Sequence, residues 1–391
     1  MESTPVPAVL TVGMGSLAAA FAALPDTRRA ASVRYPLPAV LALAVAALLA
    51  GQGSVLAIAQ WIARQEPSHL AALGFPPGRV PVQSTLHRIL RHLDLDALVR
   101  QVQTGFAPIT APARDGLQGI AIDGKVQRGR HRFTGRDYAV HAVCAVCHGS
   151  GLVVAHEPVA TDPILRDTEL PAARRLLTRL DWTGRVLTGD RLYCCRQICQ
   201  QVGAAGGDYL LMVGRNRQRL SQALTDLFAA PVHRLDRRTA RTEETGHGRQ
   251  QERRELTLTA DVASLGDWPG VRQAFRLVRT WREHGHWRSA VSYGITSLSP
   301  MQADAAVVLR LRREHWTIEN RLHRQKDVHF GEDASQIRCG VGPGVFATLR
   351  DAAVTLLYHE DPHHLAARSR ALSQFPHHAL AMVCRPLAPR A

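Results

Sequence analysis

Lysine is almost missing from this chain: of 48 lysines and arginines only Lys125 and Lys326 are lysine. The basic surface is therefore built from planar guanidinium groups, and the two compact ammonium groups stand where arginine is not interchangeable with them. Aromatic residues are sparse too, at 5%. No apolar run approaches the roughly 20 residues a bilayer-spanning helix requires, since the most apolar one ends after 14 residues, 37–50; it reads as a buried helix. No basic segment leads into an apolar one at the amino terminus, so no secretory signal is expected. Seven cysteines, an odd count, argue against a disulfide framework and for free thiols in a reducing compartment, with the cytoplasm as the expected location.

Acid is in short supply relative to base, with 33 Asp and Glu against 48 Lys and Arg, for a net charge of +15. A surplus of that size points to a polyanionic partner, nucleic acid first among them. Hydrophobic content of 46% with 21% charged residues over 391 positions excludes wholesale disorder and allows two or three domains with sizeable cores.

Along the chain, 1–25 reads as a loose arm with a short helix, and 26–107 as a helical amino-terminal domain. Within it Gly51-Gln52-Gly53 stops the 37–50 helix, Ser54 caps the next, and a third helix begins near Ser84. This third helix carries Arg88 and Arg91 after a Pro/Gly turn and resembles a DNA-contacting element; a plain amphipathic helix fits as well. A linker at 108–116 leads into an α/β region, 117–358. Here short apolar strands end on or near Asp123 and Asp190, 138–147 and 151–156 form a hairpin, and 209–213 is a further strand; helices fill 171–180 and 194–202. From about 232 to 300 alternating Arg/Thr/Glu and apolar positions read as added β structure. The tail, 359–391, is rich in His, Pro and Arg and is expected to be poorly ordered.

The stretch 309–333 concentrates the chemistry. Wound as one α-helix it buries Leu311, Ile318 and Leu322, with Arg312, His315, Glu319, His323 and Lys326 in a stripe beside them. Two strand-end aspartates, Asp123 and Asp190, plus Glu319 on a later helix are the hard oxygen ligands that a two-metal phosphoryl-transfer site needs. Such a site holds two Mg²⁺, with Mn²⁺ able to substitute, about 3.5–4 Å apart. Taken singly, each aspartate reads equally well as a turn cap. Cys144 and Cys147 have the spacing of a zinc pair but lie on a predicted strand without a knuckle turn. Glu332 and Asp333 read as a structural turn, and His359, His363, His364, His377 and His378 as a solvated tract.

GIAIDGK, then VLTGDRLYCCRQI with GGDYLLMVGRNR, then HWTIENRLH with DVHFGEDASQIR closely resemble bacterial insertion-sequence transposases of the DDE type, in the H-repeat-associated branch. DTRRAASVRYPLPAVLALAVAALLAG looks like the amino-terminal domain associated with that family. The resemblance covers most of 25–358. It implies an RNase H-like catalytic core with a β-rich insertion, and a catalytic triad, also the metal ligands, of Asp123, Asp190 and Glu319. It implies DNA as partner, as terminal inverted repeats and target, and a homodimer in the synaptic complex. Lys125, Arg191, Arg312, His315, His323 and Lys326 become the expected phosphate contacts. A signature of the wider group, Tyr-x2-Arg-x3-Glu-x6-Lys, meets Arg312, His315, Glu319 and Lys326 here, so its first two positions differ. RDTEL at 166–170 and HGRQQER at 247–253 also depart from the usual family pattern. The function implied is Mg²⁺-dependent cleavage at element ends and strand transfer to target DNA; a decayed copy acting only as a DNA-binding protein is the alternative.

Overall fold

The computed structural model describes residues 10–112, 116–127, 141–159, 167–231, 236–246, 249–337 and 339–389. Arg166, His247 and Gly248 of the two departing motifs, residues 138–140 of the expected hairpin and residues 113–115 of the expected linker lie outside them.

Leu37–Leu49 is apolar on every side, and a helix of that composition is stable only when surrounded. It is buried except at Pro38, in one hydrophobic cluster shared with the helices Leu17–Phe21, Val55–Ala63, Gln83–Leu90 and Leu95–Thr110. Side-chain caps start three of these: Ser16 and Ser54 each accept an amide at 3.1 Å, and Asp94 accepts the Ala97 amide at 2.8 Å. Leu95–Thr110 runs through Pro108 into the expected linker. The same cluster takes in the long helix Gly342–Glu360 and the helix Pro376–Cys384. The loose tail expected from composition is thus two helices, Leu365–Gln374 and Pro376–Cys384. Leu380 and Val383, one turn apart, are fully buried; the surrounding histidines and prolines mask this short apolar stripe in the sequence. No helix among the described residues is long and apolar enough to cross a membrane.

Nine strands form one mixed sheet in the order β3-β2-β1-β4-β5-β9-β8-β7-β6. These are β1 Gln118–Val126, β2 His141–Cys147, β3 Val153–Pro158, β4 Arg185–Gly189, β5 Asp208–Val213, β6 Arg237–Gly246, β7 Arg249–Thr259, β8 Gln273–Glu283 and β9 His286–Thr296. β1, β4 and β5 are parallel neighbours, β2 is antiparallel to β1, and β9 joins β5 antiparallel from Leu210↔Thr296 to Val213↔Tyr293. The β-rich segment therefore extends the central sheet. Strand alternation sends Ile120 and Ile122 to one face, covered by the helices Glu169–Leu177, Arg196–Ala204 and Gln218–Ala229, and Ala121 to the other, against the amino- and carboxy-terminal helices. Cys144 and Cys147 fall on opposite faces by the same rule, so they do not converge on a zinc ion. All seven cysteines are free.

The single helix expected over 309–333 is broken into three. Ala305–Glu314 is α-helical, Ile318–His323 is a π-helical turn, and Arg324–Val328 resumes the α-helix. Leu311, Ile318 and Leu322 are buried as the wheel requires. Beyond the π turn the wheel no longer holds, because i→i+5 bonding advances each residue by less than the roughly 100° of an α-helix.

Candidate active site

The last parallel pairing of β1 with β4 is Ala121↔Thr188. Two residues further along each chain stand Asp123 and Asp190, side by side where the two strands part. β4 ends at Gly189, just before Asp190, whereas β1 runs on to Val126 with Asp123 paired to Cys144 of β2. Asp123 is thus inside its strand and not at its end, but beyond the last residue that pairs with β4, where a crevice can open. Glu319 comes to it from the π turn: His323 Nδ1 lies 3.1 Å from Glu319 Oε2 and 3.8 Å from Asp123 Oδ2. Ligand atoms of Asp123, Glu319 and His323 all lie within 4.8 Å of one another. Asp190 is exposed on the same rim, its Oδ1 accepting the Leu192 amide at 2.8 Å.

Burial pushes the Asp123 carboxyl up to about 6, with the charges of Glu169 and Asp190 adding to the effect and His323 and the Gly124 amide opposing it. Carboxylates crowded so that one of them resists ionisation are a good fit to a divalent cation, which favours oxygen donors and removes the repulsion. His323 is nearly buried, and its Nε2 has no hydrogen-bond partner.

Sequence reasoning missed two members of this cluster. Glu169, in the first turn of the Glu169–Leu177 helix, accepts a 2.5 Å hydrogen bond from the Tyr193 hydroxyl. Burial, with the neighbouring carboxylates of Glu169, Asp123 and Asp190, holds the Tyr193 phenol well above its ordinary range. The position of Tyr193 three residues after Asp190 was the available signal. Glu169 lies within RDTEL, which the sequence marked only as a departure from the family pattern, and its Tyr193 partner is 24 residues away.

Beside Asp190 a cleft of about 1090 Å³ is lined by Arg191, Arg254, Arg279, Arg312 and Arg313, with the half-exposed Trp316 on its wall. Arg254 lies on β7 and Arg279 on β8, opposite each other in register, so the β-rich segment supplies one side of the cleft. Gly214 leaves room for Arg191: a Cβ there would meet the arginine side chain at 2.7 Å. Arg312 is pushed down to about 10 by burial and by the nearby charges of Arg279 and Arg254. Its Nε and Nη1 are buried without hydrogen-bond partners, donors shaped for an incoming anion.

Three expected phosphate contacts are placed otherwise. His315 is buried four residues after Leu311, on the same helix face, with Nδ1 3.1 Å from the Thr188 hydroxyl. Burial and the adjacent Arg312 lower it to about 3, so it carries no charge at neutral pH. Lys326, carried round by the π turn, is 1% exposed and ion-paired with Asp351 at 2.8 Å and Glu332 at 3.1 Å. Burial alone would lower its ammonium, but the two carboxylates outweigh that and hold it above its ordinary value. Lys125 is paired with Asp327. Of the expected contacts, Arg191 and Arg312 line the cleft and His323 sits between the carboxylates.

Comparison with known proteins identifies the family. Residues 114–356 match the model of the transposase DDE domain, and 18–104 match the model of the region associated with it. The putative transposase YncI of Escherichia coli O157:H7 is 28% identical over 344 residues, 85% of each chain. The H repeat-associated putative transposase YhhI of Escherichia coli strain K12 is 26% identical over 347 residues, covering 85% of this chain and 88% of its own. With more than half of its length matched to that domain, the chain belongs to the family of transposases with a DDE domain.

Proposed function

We propose that this transposase cuts DNA at the ends of an insertion sequence and joins the released 3′ ends to target DNA. The observation that carries the reading is the convergence of Asp123, Glu319 and His323 within 4.8 Å beside Asp190 and a cleft walled by arginines. The strand order β3-β2-β1-β4-β5, with β2 alone antiparallel to its parallel neighbour β1, supports an RNase H-like core with β6–β9 added at its edge.

Asp123, Asp190 and Glu319 would hold divalent cations, Mg²⁺ in the cell. When bound, these supply Lewis acidity at the phosphorus and a more acidic attacking hydroxyl. The protein itself contributes position and charge. Arg312 and Arg191 neutralise the phosphates that enter the cleft, while Arg254 and Arg279 are already ion-paired with Glu252 at 3.0 and 2.9 Å; Arg312 needs no rearrangement because its donors are unpaired. His323 orients Glu319 through its 3.1 Å contact. In the first step water attacks the phosphodiester in line and the 3′ oxygen leaves, taking a proton to become a hydroxyl; in the second that hydroxyl, losing its proton, attacks a target phosphodiester and the target strand's 3′ oxygen leaves, taking up a proton. The exposure of Arg88 and Arg91 supports a role for their helix in holding the terminal inverted repeat, and synapsis of two ends calls for at least a dimer.

The test is incubation of the purified protein with Mg²⁺, a duplex carrying the flanking repeats and a target plasmid. Joined product is expected from the wild type and not from Asp123→Asn or Glu319→Gln, both of which should still bind the duplex. Joined product from either variant at the wild-type rate would overturn the assignment.

A further inference from the structure

Lys326 stands at the centre of a buried charge network that spans four elements. Its ammonium pairs with Asp351 Oδ1 at 2.8 Å on the Gly342–Glu360 helix and with Glu332 Oε1 at 3.1 Å. Asp351 Oδ2 lies 2.5 Å from His156 Nδ1 on β3. Glu332 Oε1 accepts Gln127 Nε2 at 3.3 Å, just past β1, and has Arg350 Nη1 at 3.9 Å. One residue after Lys326, Asp327 takes Lys125 from β1. The short helix Arg324–Val328 is thus tied to β1 on one side and to the long helix and β3 on the other. It begins directly after His323, the residue that bridges Glu319 and Asp123.

Two cations and two carboxylates, Lys326 and Arg350 with Asp351 and Glu332, balance within this network. For stability alone an apolar cluster of the same volume would serve as well or better; what a buried ion network adds is a single permitted register, because a shifted helix leaves a charge unpaired. A π turn is the kind of segment that needs such a constraint, since its hydrogen bonding alone is a poor match to the adjoining α-helices.

We infer that this network is a clamp that sets the π turn in place, so that Glu319 and His323 meet Asp123, and that Lys326 is a positioning residue of the active site and not a phosphate contact. The inference rests on the reading that Asp123, Asp190 and Glu319 hold a divalent cation. It departs from the role the sequence signature suggests, and it makes Asp351 a functional partner that no motif marks.

The experiment measures Mn²⁺ binding by the full-length, DNA-free protein, by paramagnetic resonance well below the melting temperature, together with DNA affinity across a salt series. Lys326→Met should lower the melting temperature and weaken Mn²⁺ binding about tenfold, the range seen when groups that orient ligands are removed. Lys326→Met/Asp351→Asn leaves no carboxylate uncompensated. It should recover much of the melting temperature while Mn²⁺ binding stays weakened severalfold, because the helix is no longer tied to Asp351. The slope of log affinity for DNA against log salt should remain that of the wild type in both. Wild-type Mn²⁺ affinity in the folded double variant would reduce the network to a purely structural one and sink the inference. A slope shallower by about 0.9 in Lys326→Met would show a phosphate contact instead. If Asp123→Asn leaves wild-type Mn²⁺ binding unchanged, the metal-site reading itself fails, and the clamp with it.

Discussion

Replacing Asp123 with asparagine should stabilise the metal-free protein at neutral pH while disabling it. In the fold this carboxyl is raised from 3.8 to about 6, burial being the largest cause. A proton is therefore held more tightly in the folded chain than in the unfolded one. The stability this contributes is present in full below about pH 4 and is lost as pH rises through 6, when the folded protein must carry a carboxylate that its surroundings disfavour. A displacement of that size corresponds to roughly 3 kcal/mol, at about 1.4 kcal/mol for each pH unit. The side chain keeps 33% of its exposure, so solvent screening brings the expected gain to about 1–2 kcal/mol. Asparagine retains an oxygen for the Gly124 amide, 2.9 Å from Asp123 Oδ1, and removes only the charge. In urea denaturation with chelator, Asp123→Asn should be more stable than wild type by about that amount at pH 8, with the advantage narrowing toward pH 4. Excess Mg²⁺ should reverse the order, stabilising wild type alone by mass action. A variant less stable than wild type at pH 8, by the same margin as at pH 5, would refute the reasoning and make Asp123 a structural cap.

Arg312→Gln should leave stability unchanged or slightly improved, because its guanidinium is crowded by Arg279 and Arg254, yet weaken DNA binding and reduce the log–log salt slope by about 0.9; an unchanged slope would remove Arg312 from the interface. Tyr193→Phe deletes the hydrogen bond to Glu169 and should cost about 1–2 kcal/mol in urea denaturation. No loss would mean that Glu169 is held equally well by others. Leu380→Ala opens a hole under the last helix, where the side chain is fully buried, and should cost about 2–5 kcal/mol; a cost below 0.5 kcal/mol, the spread of ordinary surface changes, would show that the helix is dispensable.

Leu311, Ile318 and Leu322 are buried as a 3.6-residue period demands, since hydrophobic burial is decided by local spacing. Arg312 and Glu319 lie before or early in the π turn and reach the cleft and the crevice. Lys326 lies after it and is turned into the core. The scarcity of lysine did single out two unusual groups, but both turn out to be anchored by carboxylates, Asp351, Glu332 and Asp327. A motif states which residue stands at a position and is silent on which way the helix turns it.

Composition and pattern alone determined the basic character of the chain, the buried helix at 37–50, the strands that lead to Asp123 and Asp190, and the family, because these depend on neighbours along the chain. Only the tertiary structure decided that the carboxy-terminal segment packs with the amino-terminal helices, that β6–β9 extend the central sheet and wall the arginine cleft, and that Glu169 joins the acids. These rest on contacts between distant residues, such as Val213↔Tyr293 or Lys326 with Asp351. Their loop-closure cost is repaid by burial and charge pairing that no local spacing encodes.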